Sequence, residues 1–429
     1  MLIKRFLLFF IFLLLIFPAF QKEFNPIISK SLKGAFTPAP KPAASCSAFM
    51  NGSFQQQYRQ NIEDSVGFRP DFVRLYNQID FSLFSIAHAD QIVVGKNNEL
   101  FSKDYIDGYL GKSVFGKRFM DDKIRMLKYV QNYLWETKRI MVIVMIPPDK
   151  GSFYPELIPD RFLKMERHQT NRDYFTKKAH EAGINVLDFN PYFSALKHTS
   201  RYRLIPSTGI HWSDYGSYLA ADSAIRYFEK EKGIVMPKMI LDSIQTSTSP
   251  RNLDDDINKT MNLIWNAPHE ILAYPCYHFV TDTTRSKPAA LFIADSYIWG
   301  WYHQPIIKNL FRNQEIWYYD YAVYPESQTK MKYTWEINLR EAIERQDFVI
   351  LFQVGAGNGN PGAGIIDRLY TEYDTTRGNP IRKIENEILK SPSWLSKEKQ
   401  KATERKLPLA IIVRSDAINL YNTELLKKK

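Results

Sequence analysis

The chain has 429 residues, 45% of them hydrophobic and 14% aromatic, a composition that excludes a disordered or fibrous protein. Its two cysteines exclude a disulfide-rich scaffold and a thiolate zinc site. The net charge of +11 lies in the terminal segments 1–45 and 374–429, whereas the body of the chain is neutral, so we expect no nucleic-acid partner.

The N-terminus has the pattern of an export signal. Lys4 and Arg5 precede an apolar run over residues 6–17, which is typical of a signal anchor or a signal peptide over 1–22. The density of Leu, Phe and Ile favours an anchor that is retained, and cleavage is the alternative. The short basic end is expected to stay inside, so the remainder is exported, either membrane-anchored or secreted. Residues 23–45 are a Pro-rich linker, and Cys46 and Cys276 either pair or stay as thiols.

The body of the chain alternates strand and helix patterns. Residues 46–138 indicate an α-rich lead-in with a small β element near 91–95. Loops are predicted over residues 240–285. Residues 374–429 indicate a basic helical tail. Strands are predicted at 139–146, 184–189, 289–294, 315–319 and 348–354. Helices are predicted at 169–182, 214–232, 296–312, 334–345 and 365–373.

Repeated strand–helix units predict an α/β fold whose core, residues 139–373, is a mostly parallel sheet with helices on both faces. Ligands bind such sheets at the carboxyl ends of the strands. Three segments fall there, at residues 147–151, at Asp295-Ser296 and at residues 355–360.

Ser296 and His211 are the candidate catalytic residues. Ser296 directly follows a buried strand and begins a helix, so nearby backbone amides can stabilise an oxyanion, although a helix N-cap is the alternative role. His211 lies in a Gly-containing loop before a helix. Its neighbour Trp212 would partly desolvate the imidazole, which suits a base near neutral pH, and an aromatic-packed surface histidine is the alternative.

Together, His211-Trp212 and Asp295-Ser296 resemble the SGNH-type polysaccharide O-acetyltransferases, the alginate O-acetyltransferase family. That family has an Asp-x-His-Trp motif followed by a Gly-Asp-Ser-Phe motif, and the order is the same here. Weaker similarities cover segments between residues 60 and 370: Val93-Val94-Gly95-Lys96, Glu99-Leu100-Phe101, Ile146-Pro147-Pro148-Asp149-Lys150 and Tyr154-Pro155-Glu156.

The resemblance implies an SGNH-like three-layer domain over 46–373, with Ser296 as nucleophile and His211 as its base. It also implies a multispanning membrane acyltransferase as acyl donor, a location at the periplasmic face of the inner membrane, and no cofactor. We expect no metal, because no His/Asp/Glu cluster has ligand spacing.

Two departures from the family pattern bear on the mechanism. The second motif is Ala294-Asp295-Ser296-Tyr297, with two substitutions. Gly209 stands where the family has the aspartate that orients the histidine, and loss of an orienter costs catalysis heavily. A backbone carbonyl could replace it, giving a Ser–His dyad. The candidate carboxylates are Asp149, Asp295 and Asp214.

The remaining candidates stabilise the oxyanion or bind substrate. The amide of Ser296 or Tyr297 is a candidate oxyanion donor. So is Asn358 in the Gly-rich turn 355–364, for which an ordinary flexible loop is the alternative. Trp212 and Trp299 are candidate substrate-binding residues, because sugar rings stack on aromatic faces, although aromatics near a helix start also serve as core.

These observations predict O-acyl transfer, most simply of acetyl, to hydroxyls of an extracytoplasmic polysaccharide. An SGNH esterase would use the same residues, since exclusion of water decides between transfer and hydrolysis. A non-catalytic polysaccharide-binding or export scaffold is the other alternative, and Gly209 favours it.

Overall fold

The protein is described here by a computed structural model, which covers residues 2–34, 39–112, 114–355 and 362–427. The chain forms two compact units, one made of Met1–Leu100 with Asp256–Pro268, the other of Phe101–Asp255 with His269–Lys429. The predicted domain over 46–373 therefore spans parts of both units. Ser296 and His211 lie in the larger one.

The strands agree with the predicted ones where the apolar runs are continuous. They are β1 Ile92–Val94, β2 Leu100–Ser102, β3 Met141–Ile146, β4 Val186–Asp188, β5 Lys238–Ser247, β6 Leu272–Val280, β7 Ala290–Ala294, β8 Glu315–Tyr318, β9 Ala322–Tyr324 and β10 Phe348–Phe352.

The helices Asp214–Lys232 and Ile365–Tyr373 have the predicted bounds, whereas the other predicted helices are shorter or divided, and further short helices occur. In chain order the helices are α1 Leu2–Phe24, α2 Cys46–Met50, α3 Ser53–Ser65, α4 Arg69–Phe84, α5 Lys103–Tyr109, α6 Lys117–Lys138, α7 Lys150–Phe153, α8 Asp160–Leu163, α9 Asn171–Glu181, α10 Phe189–Leu196, α11 Asp214–Lys232, α12 Asp256–Thr260, α13 Ile298–His303, α14 Ile306–Leu310, α15 Leu339–Glu344, α16 Ile365–Tyr373, α17 Pro380–Lys390, α18 Pro392–Arg405 and α19 Leu409–Lys427.

The central sheet of the larger unit has the strand order β4-β3-β10-β7-β8-β9. All neighbouring strands are parallel except β8 and β9, which form an antiparallel hairpin. The predicted mostly parallel SGNH-like α/β fold is confirmed. Because the parallel strands point the same way, the segments that follow β3, β7, β8 and β10 meet at one edge.

Helices cover both faces of this sheet. Strands β3, β7 and β10 are buried along their whole length, which explains their unbroken apolar sequences. Alternate residues of each strand join one of two hydrophobic cores. One core contains α10, α11, α13 and α14, and the other contains α6, α9, α16 and the tail helices α17 and α19.

Helix α1 corresponds to the predicted export signal. Its segment Ile3–Phe24 is long and apolar enough to cross a membrane, with a mean hydropathy of 2.3. A signal sequence near the N-terminus has the same properties, so retention as an anchor stays a prediction. Both Cys46 and Cys276 are free thiols.

Three predicted elements were wrong. Residues 240–285 contain the long antiparallel hairpin β5–β6, which is largely exposed on β5 and therefore shows no hydrophobic alternation. The helix predicted over 334–345 is reduced to α15, which begins after the capping side chain of Asn338. The helix predicted to residue 312 is divided into α13 and α14 around Pro305, since proline lacks the amide that a helix interior requires.

Candidate active site

Ser296 is held at the carboxyl edge of the sheet by its neighbour Asp295. The Asp295 carboxylate accepts hydrogen bonds from the amides of Tyr297 (3.0 Å) and Val354 (2.7 Å), and its own amide donates to the carbonyl of Phe352 (3.0 Å). These bonds join the turn after β7 to the end of β10. Burial raises the pKa of Asp295 to about 6 despite the two amide donors.

His211 meets Ser296 from the loop that precedes α11. Its Nε2 lies 2.7 Å from the Ser296 Oγ, a hydrogen-bond distance, although the two residues are 85 positions apart in the sequence. The imidazole is only 5% exposed. This contact is the geometry in which a neutral imidazole accepts the proton of an attacking hydroxyl.

A buried lysine holds the loop that carries His211. The Nζ of Lys150 donates to the carbonyls of Pro206 (2.6 Å), Ser207 (2.9 Å) and Gly209 (2.8 Å). Lys150 itself is inaccessible to solvent. A single cation after β3 therefore organises three of the five carbonyls that precede the candidate base.

Tyr297 ties the same loop to the sheet from another direction. Its buried hydroxyl lies 2.8 Å from the carbonyl oxygens of both Pro148 and Ile210 and donates its single proton between them. Its ring packs edge-on against both His211 and Trp212, with centroid distances of 4.8 and 5.4 Å. The aromatic residue after the nucleophile thus fixes the position of the base.

The structure adds Tyr319, which the sequence did not single out. Tyr319 follows β8, and its hydroxyl interacts with both the hydroxyl and the backbone amide of Ser296. Burial raises the pKa of Tyr319, the charge of Asp295 raises it further, and the contacts with Ser296 oppose this shift. The Tyr319 hydroxyl therefore lies beside the nucleophile, where it accepts from the Ser296 amide. No local pattern marked it, because it reaches Ser296 only through the neighbouring strand.

Residues 92–292 match the family model of the SGNH hydrolase-like domain of acetyltransferase AlgX. This segment is therefore similar to the SGNH hydrolase-like acetyltransferase domains of that family. The match confirms the predicted resemblance and the predicted enzyme class, an SGNH-like O-acetyltransferase. It contains His211 and ends just before the turn that carries Ser296.

Solved structures with a similar fold include three proteins from two bacterial genera. The O-acetyltransferase domain of Pseudomonas putida AlgJ is 15% identical over 66% of this chain and 99% of its own, with a TM-score of 0.44. Pseudomonas aeruginosa AlgX is 12% identical over 64% and 67%, with a TM-score of 0.41. Bacillus cereus PatB1 is 11% identical over 62% and 98%, with a TM-score of 0.37. No curated protein matches the sequence.

The three candidate orienting carboxylates have other hydrogen-bond partners. Asp149 accepts the amide of Ser152 (2.8 Å), and burial raises its pKa. Asp214 accepts a side-chain hydrogen bond from Asn252 (2.8 Å), and burial raises its pKa to about 6. Asp295 holds the turn of the nucleophile, as described above. Which group orients the imidazole therefore stays a prediction.

The candidate oxyanion donors include the amide of Tyr297 and the side chain of Asn358. The amide of Tyr297 already donates to Asp295. Asn358 lies outside the described residues.

The two candidate substrate-binding tryptophans also differ. Trp212 is 1% exposed and stacks on Trp301 at 5.9 Å, which is the placement of a core residue in place of the predicted substrate contact. Trp299 is half-buried, and its ring packs against Tyr318 and Tyr324. Within the part of the chain that the structure describes, no group of three His, Cys, Asp or Glu could hold a metal ion.

Proposed function

We propose that this protein transfers acetyl groups to hydroxyls of an extracytoplasmic polysaccharide through a covalent intermediate on Ser296. The observation that carries the proposal is the 2.7 Å contact between the His211 Nε2 and the Ser296 Oγ. The match of residues 92–292 to an acetyltransferase domain supports the class of reaction.

In the first step, His211 accepts the Ser296 proton while the Ser296 Oγ attacks the carbonyl carbon of an acetyl donor. The tetrahedral intermediate carries an oxyanion, for which the Ser296 amide is the candidate donor when it turns from the Tyr319 hydroxyl to the intermediate. As the intermediate collapses, the imidazolium returns its proton to the leaving group. Acetyl-Ser296 remains.

In the second step, a sugar hydroxyl replaces the leaving group. His211 accepts its proton as the sugar oxygen attacks the acetyl carbonyl. Collapse of the second intermediate breaks the bond to the Ser296 Oγ, which takes the proton back from the imidazolium, and the acetylated sugar is released. Helix α1 would hold the domain at the outer face of a membrane, where a multispanning acyltransferase would supply the acetyl group.

The test uses the full chain purified in detergent, with p-nitrophenyl acetate as donor and a fluorophosphonate as a covalent probe. We expect labelling and ester turnover in the wild type, and a loss of turnover of about a thousandfold or more in Ser296→Ala and in His211→Ala. His278→Ala changes an exposed histidine on β6 and serves as the matched control. Labelling that persists in Ser296→Ala would refute the proposed nucleophile.

A second readout separates transfer from hydrolysis. With an oligosaccharide present, a transferase yields acetylated sugar, whereas an esterase yields only acetate at an unchanged rate. Mass spectrometry of the denatured enzyme reports whether one acetyl group is attached at Ser296 during turnover. A wild-type enzyme that neither labels nor turns over would favour the scaffold alternative.

A further inference from the structure

The turn between β8 and β9 has a strained backbone next to the nucleophile. Tyr319 and Asp320 both have positive φ angles, 52° and 49°, and the Tyr321 amide donates to the Tyr318 carbonyl (3.0 Å). A bulky residue such as tyrosine adopts this conformation at a cost on the order of 1 kcal/mol or more, and it persists only where surrounding contacts impose it.

Buried polar contacts hold this turn from both sides. Asp320 is paired with Arg368, and its carbonyl accepts the hydroxyl of the buried Thr334 (2.8 Å). The Thr334 amide donates to the carbonyl of Tyr321 (3.0 Å). On the other side, the Tyr319 amide donates to the carbonyl of Ala294 (2.8 Å), two residues before the nucleophile. The turn is therefore fixed relative to Ser296.

Tyr319, the first residue of this turn after β8, lies next to the nucleophile. Tyr319 interacts with the hydroxyl and amide of Ser296 while remaining 45% exposed. A molecule that touches the outer side of this ring is thus adjacent to the nucleophile.

Tyr321, at the other end of the turn, forms a cluster of three rings with Tyr333 and Trp335. We call this cluster the aromatic platform. Tyr333 and Trp335 stack at 4.3 Å with an interplanar angle of 9°, and Tyr321 meets them edge-on at 5.2 and 5.1 Å. Tyr321 is 51% exposed. The rings lie outside the two hydrophobic cores. Thr334, between the two stacked residues, is buried and anchors the turn.

The chemistry of the platform matches a sugar ring. A pyranose has C–H faces that pack on aromatic rings and hydroxyls that accept and donate at the edges, and tyrosine offers both a face and a hydroxyl. The nearby charges of Lys332 and Glu326 pair with each other, and the carboxylate of Glu336 accepts the amide of Tyr333. Tyr321 is two positions from Tyr319 on the same turn, so an acyl acceptor that spans the turn can occupy the platform while it reaches Ser296.

We propose that the aromatic platform of Tyr321, Tyr333 and Trp335 is an acceptor subsite that binds a pyranose of the polysaccharide while a neighbouring sugar presents its hydroxyl at Ser296. This inference rests on the proposed function. The strained turn sets the spacing between the two, since it carries Tyr319 and Tyr321 on opposite sides of Asp320.

Binding is measured apart from turnover, so that failure of this inference is distinguishable from failure of the proposed function. Cellohexaose, chitohexaose and hexamannuronate are titrated by calorimetry into the full-length Ser296→Ala protein in detergent. We expect at least one to bind. Adding Trp335→Ala or Tyr321→Ala should weaken it about tenfold, whereas Trp335→Phe should largely retain affinity.

Trp135→Ala is the matched control, because Trp135 on α6 is also partly exposed (38%) and belongs to no part of the site. In the otherwise wild-type enzyme, Tyr321→Ala should raise the KM for the bound hexasaccharide about tenfold and leave kcat nearly unchanged. No binding by any of the three sugars, unchanged affinity in both platform variants, or an equal loss in Trp135→Ala would overturn the inference. Vesicle binding that is lost in the platform variants, with sugar binding intact, would indicate a membrane contact in its place.

Discussion

Lys150 is a buried cation that holds the loop before His211. Its removal should displace this loop in a protein that still folds. Its Nζ donates to three carbonyls, of Pro206, Ser207 and Gly209, at 2.6 to 2.9 Å. Lys150→Met keeps the length of the apolar stem and removes the ammonium group. The three buried carbonyls, all within five residues of His211, would then lack this donor.

The expected loss of stability follows from two opposing contributions. Each buried carbonyl left without its donor costs about 1–3 kcal/mol. Burying the ammonium group also carries a desolvation penalty, typically several kcal/mol. The substitution removes this penalty, which offsets part of the cost of the unsatisfied carbonyls. We therefore expect a net destabilisation of about 3 kcal/mol. A loop shift on the order of 1 Å at His211 would lower kcat about a hundredfold.

Lys232→Met is the matched control. Lys232 is half-buried and donates to the carbonyls of Asp347 (2.7 Å) and Arg139 (3.2 Å), which precede β10 and β3 at the opposite edge of the sheet. Its loss should lower stability and leave the active site intact. The assay is ester turnover per folded molecule, with thermal unfolding measured in parallel. A folded Lys150→Met enzyme with wild-type kcat, or an equal loss of kcat in Lys232→Met, would refute the reasoning.

Two further predictions concern residues around α11. Burial raises the pKa of Asp254 from 3.8 to about 8, so the folded protein keeps a proton that the unfolded chain releases. The stability this group contributes is complete below about pH 4 and is lost as pH rises through about 8. Asp254→Asn should therefore flatten the fall of Tm with pH, and an unchanged slope would contradict this. In Gly300→Ala, the new Cβ would lie 2.6 Å from the Trp212 Nε1, so we expect destabilisation of about 1–3 kcal/mol in a denaturant titration. Gly378→Ala, which meets only an ordinary contact, should not change stability.

The sequence by itself determined the layered α/β fold and the two residues of the candidate catalytic pair. Strands β3, β7 and β10 are buried on both faces, and such burial requires uninterrupted apolar residues that are readable from the chain. Ser296 was identified because a polar residue directly after such a strand must lie at the edge of the sheet. The exposed hairpin β5–β6 was missed, since backbone pairing on a surface needs no hydrophobic pattern.

Only the tertiary structure decided which side chains surround that pair. β7 and β10 are neighbours in the sheet but distant in sequence. No local sequence pattern therefore predicts the hydrogen bond from the Val354 amide to the Asp295 carboxylate. The same holds for Tyr319, which reaches Ser296 from the adjacent strand β8. Lys150 looked like one residue of a short motif, and its role depends on three carbonyls more than fifty positions away. Local patterns report burial and backbone conformation, whereas the partner of a buried polar group depends on how the strands are ordered in space.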